Sequence, residues 1–171
     1  MRISAIRKPR SADGMLIRKV QGGDRPYISD MIEAAGNLTG EERLCAVELL
    51  DIYLNDPFQK DYFFLTASDG RGLLAGYICY GPTPLAEGVY DMYWIVVNAG
   101  HRREGVGVRL LAGAEEILRK EGARMLVAET SGLVSYEPAR RFYLKNGFTQ
   151  DARIKDFYKP GDDKFIYVKR F

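Results

Sequence analysis

The chain has 171 residues, 46% hydrophobic and 28% charged, which fits one soluble globular domain able to bury a sizeable core. Its 25 basic and 23 acidic side chains leave a net charge of +2 at pH 7. That balance excludes a protein that holds nucleic acid or an anionic membrane surface through bulk charge, so any anion must be recognised locally.

No apolar run approaches the ~20 residues of a membrane-spanning helix. Cys45 and Cys79 lie in separate apolar runs without a CxxC pattern, which predicts reduced core thiols rather than a disulfide framework or a zinc site. The first 13 residues are basic but lack the apolar stretch of a signal peptide. They read as a loose arm ahead of a single domain over 14–171, and a cytoplasmic location is expected.

In chain order, MLIRKV (15–20) reads as a strand. Asp24 is a candidate cap for a helix with Pro26 in its first turn, running to about Ala35. Thr39 and Glu42 form a capping-box pattern. Leu44, Val47, Leu50 and Leu54 then mark an apolar helical stripe. DYFFLTA and LLAGYICYG are strands around the turn SDGRG, and PTPLAEG is a loop. VYDMYWIVV (89–97) is nearly all apolar, as in a central strand buried on both faces.

A helix follows, with Leu110, Leu111, Ala114, Ile117 and Leu118 on one face and the pairs Glu115/Arg119 and Glu116/Lys120 on the other. Gly122 is its expected stop. RMLVAET is a short buried strand, and 138–146 is a helix closed by Gly147. The chain ends in a hairpin across KPGDD, where Pro-Gly suits a type II turn. The order β-α-α-β-β-β-α-β-α-β-β predicts an α/β fold, a mixed sheet covered by helices.

The stretch HRREGVG (101–107) places two glycines where a helix begins, although glycine is poor in helices. The first amides of a helix have no partner within it, and the helix dipole favours an anion there. Glycines let those amides approach a phosphate, and Arg102 and Arg103 add charge beside them. A nucleotide P-loop does not fit, because Val106-Gly107 stands where Lys-Ser/Thr is required. A dinucleotide fingerprint fails as well, with Leu110 in place of its third glycine.

R-x-x-G-x-G, here RREGVG at 102–107, resembles the pyrophosphate loop of the GNAT superfamily of acetyl-CoA-dependent N-acetyltransferases. ARRFYLKNGF (139–148) resembles that family's A-x-x-x-Y-x-x-x-G-F segment, and the element order matches from about Met15 to the C-terminus. Two positions depart from the family's pattern. Ala99 stands where proline is frequent. Tyr136 stands where an asparagine commonly helps to hold the cofactor arm and the start of the last helix.

The resemblance implies a mixed, mostly antiparallel central sheet flanked by helices, with acetyl-CoA as co-substrate and no metal. It places the pyrophosphate on the amides of Gly105, Val106, Gly107 and Val108, within the loop that also holds Arg102, Arg103 and Glu104. The pantetheine arm would pair with the strand edge at Ile95, Val96 and Val97, much as an added strand does. An N–H near Val97 would polarise the acetyl carbonyl. Tyr143 would donate a proton or a hydrogen bond to the leaving sulfur.

A base must deprotonate an ammonium of pKa about 10.4 for a lysine-like amine. Asp91, an acid inside an apolar strand, and Glu129 are candidates, as is a water chain. His101, the single histidine, excludes a His-based metal site and reads as an exposed loop residue. Asp156, Asp162 and Asp163 read as a solvated turn.

The acceptor is expected to be a small amine or amino-acid-like molecule, bordered by aromatics such as Tyr53, Phe58 and Tyr158. A peptide or protein amine is the alternative acceptor, and a non-catalytic acyl-CoA sensor the alternative function. Neither nucleic acid nor membrane is an expected partner, and a homodimer is a possible assembly.

Overall fold

Seven strands and four α-helices form within residues 14–171, the part of the chain described by this computed structural model. They run β1 (Leu16–Lys19), α1 (Arg25–Glu33), α2 (Gly40–Asn55), β2 (Phe63–Ser68), β3 (Leu74–Pro82), β4 (Val89–Val97), α3 (Val106–Lys120), β5 (Met125–Ser131), α4 (Glu137–Lys145), β6 (Thr149–Lys159) and β7 (Asp162–Arg170). This is the order expected from the sequence. The arm expected over 1–13 lies outside the described residues.

One sheet holds these strands in the order β1-β2-β3-β4-β5-β7-β6. Each neighbouring pair is antiparallel except β4 with β5. That pair is parallel because α3 carries the chain across the sheet between them. On one face Leu110, Leu111, Ala114 and Leu118 of α3 and Tyr143 of α4 pack on Ile78, Met92 and Leu126. On the other, α1 and α2 pack Ile28, Ile32, Ala46 and Leu50 on Phe64, Tyr77 and Cys79. Strand alternation sorts the side chains, so Ile78 faces one layer and Tyr77 and Cys79 the other. Among the described residues no helix is long and apolar enough to cross a membrane.

The local signals that hold are short-range. Thr39 Oγ1 accepts from the Glu42 amide (3.2 Å) and the Glu42 carboxylate accepts from the Thr39 amide (2.7 Å), completing the capping box of α2. Gly122 ends α3 at φ 77°, and Gly161 takes φ 83° after Pro160, as a type II turn requires.

Other expectations are overturned by longer-range contacts. Asp24 does not cap α1: its carboxylate accepts two bonds from Arg18, at 2.6 and 2.9 Å, and one from the Gln21 amide. A bidentate charged pair outweighs a single cap. The buried face of α2 is Ala46, Leu49 and Leu50, while Leu44 is 74% exposed. Cys45, beside Leu44, is exposed too, so Cys79 alone is a core thiol. Glu115 is buried rather than solvated, since it pairs with Lys169 of β7 as well as with Arg119.

Candidate active site

β4 is not buried on both faces as its composition suggests: Met92 is buried and its other residues are half-buried. The strand also carries a bulge. Cys79 pairs with Trp94 and Tyr80 with Met92, which leaves Tyr93 as an extra residue, and Tyr93 and Trp94 both pack into the α1–α2 layer. A bulge bends its strand and sharpens the twist. Pairing between β4 and β5 accordingly ends at Met92 opposite Ala128. Beyond that point β4 stays on β3, and Glu129, Thr130 and Ser131 stay on β7. The two central strands part, and the β5-side edge of residues 93–97 has no strand partner among the described residues.

The loop after β4 is pinned on its inner side. The Asn98 amide donates to Ala75 O (2.8 Å), and Asn98 Oδ1 accepts from the Gly100 amide (3.0 Å). His101, read from sequence as exposed, is only 6% exposed, with Nε2 3.7 Å from Asp69 Oδ2 in the β2–β3 turn. Backbone amides of Arg71 and Leu73, together with the Arg71 guanidinium, hold the Asp69 carboxyl down at about 2. Arg102 and Arg103 point outward and form no ion pair with a described residue.

Gly105 precedes α3 at φ 76° with no side-chain cap, and the first intrahelical bond runs from the Arg109 amide to Gly105 O (3.1 Å). The amides of Val106, Gly107 and Val108 therefore have no partner within the helix. The two glycines have different structural reasons. Gly105 supplies the left-handed turn, and a Cβ on it would meet open space. A Cβ on Gly107 would lie 3.2 Å from the Phe142 ring, so that glycine lets α3 approach α4.

α4 brings Tyr143 to the same region. Its residue is 7% exposed, its ring lies 5.4 to 5.9 Å from those of Tyr167, Phe148 and Phe142, and its hydroxyl bonds to no described residue. Burial, then Tyr167 and Tyr158, push its phenol up to about 12. Asp91 lies on β4 two positions before the bulge and accepts from Thr83 Oγ1 (2.8 Å). Burial raises its pKa above the ordinary carboxylate range, and nearby Glu129 adds to this against the opposing effects of Thr83 and Lys164. Glu129 is exposed and ion-paired with Lys164, whose ammonium also lies 4.3 Å from the centre of the Phe157 ring.

Several other residues differ from the sequence reading. Asp162 and Asp163 are buried rather than solvated: Asp162 accepts from Ser131 Oγ (2.5 Å) and the Gly132 amide, and Asp163 from Arg153 and the Asp156 amide. Tyr53 is half-buried, with its ring on Phe64 and its hydroxyl donating to Val20 O. Phe58 is 87% exposed and Tyr158 half-exposed. Tyr136 donates from its hydroxyl to the Glu42 carboxylate, with oxygen distances of 2.9 and 3.1 Å. Sequence reasoning missed Thr83, Lys164 and that Tyr136–Glu42 bond, because each pairing depends on how separate strands and helices come together and not on a local pattern.

The nearly bare helix start is the loop in which the sequence resembles the GNAT superfamily. Residues 33–148 match the acetyltransferase (GNAT) family. The chain belongs to that family. Over 91% of its length it is similar to a crystal structure described as an acetyltransferase of the GNAT family from Desulfovibrio desulfuricans, with 41% identity, a TM-score of 0.86 and 98% of that chain covered. Among curated proteins it is 31% identical over 68 residues to N-alpha-acetyltransferase 30 of Schizosaccharomyces pombe, and 32% identical over 72 residues to the N-acetyltransferase YsnE of Bacillus subtilis. These stretches cover 40% and 42% of this chain and 44% and 48% of the relatives, so the match spans about half the length of those curated proteins.

Proposed function

We propose that this GNAT protein moves the acetyl group of acetyl-CoA to a primary amine of a small or amino-acid-like acceptor, by direct attack in a ternary complex. The observation that carries the reading is the set of unpartnered amides at the start of α3, opening beside an unpaired edge of β4. A pyrophosphate suits those amides and the helix dipole, with Arg102 and Arg103 neutralising charge from outside. A pantetheine amide suits the edge at Ile95, Val96 and Val97. Glu104, in the same loop, carries no separate role.

In this reading Asp91 takes a proton from the acceptor ammonium. Its raised pKa makes it a stronger base than an ordinary carboxylate. Glu129 is the weaker candidate because Lys164 already neutralises it. The amine nitrogen attacks the thioester carbonyl, the carbon–sulfur bond breaks, and Tyr143 donates a proton to the departing thiolate. An isolated phenol with its pKa near 12 is protonated at neutral pH and free to donate.

A peptide or protein amine is the other acceptor reading, supported by the partial match to N-alpha-acetyltransferase 30. The test supplies acetyl-CoA with alkylamines, amino acids and short peptides and follows free thiol. Turnover with small amines that disappears in Gly107→Trp, whose side chain would wedge α3 from Phe142, supports the proposal. Turnover on peptides alone replaces the acceptor class. Tight CoA binding with no turnover on any amine would make the protein a sensor.

A further inference from the structure

We propose that Tyr136 is a positioning residue, a strap from α4 to α2 that fixes Tyr143 at the gap between β4 and β5. The proposal rests on the role given above to Tyr143. The Tyr136 hydroxyl and the Glu42 carboxylate are 94 residues apart in sequence and 2.9 Å apart in space. α2 packs on one face of the sheet and the side chains of α4 on the other. Tyr136 follows the end of β5, where β5 has left β4, so the two layers meet at the open end of the gap.

The anchor on the α2 side is rigid. Glu42 is held by its own capping box through the Thr39 amide at 2.7 Å, so its carboxylate is fixed relative to the first turn of α2. The α4 side needs such an anchor. That helix has nine residues and no side-chain cap at its start, too short to define its own position. Its N-terminal end is tied by two side chains: Tyr136 to Glu42, and Arg140 Nη1 to the carbonyls of Ser131 (2.6 Å) and Leu133 (2.9 Å).

Tyr136 is the residue at the N-terminal cap of α4, seven positions before Tyr143. The ring of Tyr143 is held by apolar contacts to Phe142, Phe148 and Tyr167, which resist tilting but set no directed hydrogen bond. Its hydroxyl bonds to no described residue. The placement of that hydroxyl along the helix axis then depends on where α4 is fastened, and the strap fastens it to the opposite layer.

A double-mutant cycle tests this, read as thiol release at saturating acetyl-CoA with the best amine of the panel above. Tyr136→Phe keeps the ring and removes the bond; kcat is expected to fall about tenfold, a fraction of what general acid catalysis supplies. KM for acetyl-CoA and the unfolding temperature should stay near wild type. In a Tyr143→Phe background the same change should have no further effect on kcat. Glu42→Gln, whose amide oxygen still accepts from both Tyr136 and Thr39, should retain most of the activity that Glu42→Ala loses.

An equal loss of kcat in both backgrounds would show that Tyr136 acts independently of Tyr143 and overturn the proposal. Full kcat in Tyr136→Phe would overturn it as well. A Tyr143→Phe single variant with full kcat would remove Tyr143 from the mechanism, and the strap's role with it. That failure is recognisable because it appears without touching Tyr136. A wild type that released no thiol with any amine would instead sink the acetyl-transfer reading.

Discussion

Asp91 is a side chain whose environment works against its charge. It is half-buried on β4, with Thr83 as hydrogen-bond donor and with Glu129 nearby. A carboxyl whose pKa is higher folded than unfolded binds its proton more tightly in the native state. Its ionisation therefore lowers stability as pH rises from about 4 through the raised value, and this cost is absent below about 4. Asp91→Asn, which can still accept from Thr83, should raise the unfolding temperature at pH 7 and leave it unchanged at pH 3. The same variant should lose roughly a hundredfold or more in kcat/KM, together with the acid limb of its pH profile. A variant that is less stable at pH 7, with activity intact, would show that Asp91 is a satisfied structural group and not the base.

At the level of elements, the start of α3 joins two requirements that the sequence wrote into one motif. RREGVG is legible because helix starts, left-handed turns and bare amides are all local properties. Gly105 at φ 76° can be tested apart from packing, since a Cβ there meets nothing. Gly105→Ala should cost about 1–2 kcal/mol in chemical denaturation from backbone strain alone. Because the strain is relieved by turning the loop, acetyl-CoA affinity should fall with it, and Gly105→Asn should lose less of both.

The capping box of α2 was legible for the same reason. Thr39→Ala should cost about 1 kcal/mol of stability. What the sequence did not disclose depends on partners from distant segments. The bulge at Tyr93 is set by register with β3, the burial of His101 by a turn some thirty positions upstream, and the Tyr136–Glu42 bond by two layers meeting. A nearly all-apolar VYDMYWIVV looks buried on both faces whether or not its neighbour stays beside it.

At the scale of the whole molecule, the sheet is two antiparallel blocks, β1 to β4 and β5 to β7, joined by a short parallel ladder and by α3. That ladder has four register pairs, Val89 with Met125 through Met92 with Ala128, and then it opens. The opening leaves main-chain groups on β4 unpaired within a sheet that otherwise satisfies them, a local weakness that a ligand pairing with residues 95–97 would repair. A ligand that also binds the amides of α3 would tie the blocks together at the point where they part. Coenzyme A should therefore act on global stability. At a hundred times its Kd, binding to the native state alone adds about 2.7 kcal/mol. For a domain of this size that corresponds to a rise of about 5–10 °C in unfolding temperature. Amide hydrogen exchange should slow at 95–97 and 105–108 together, because one molecule spans both. ATP offers phosphates but no pantetheine arm, so it should protect 105–108 weakly and leave 95–97 unchanged. Equal protection of both segments by ATP would mean that the gap is not built for an arm at all, and the bare turn would then be a nucleotide site.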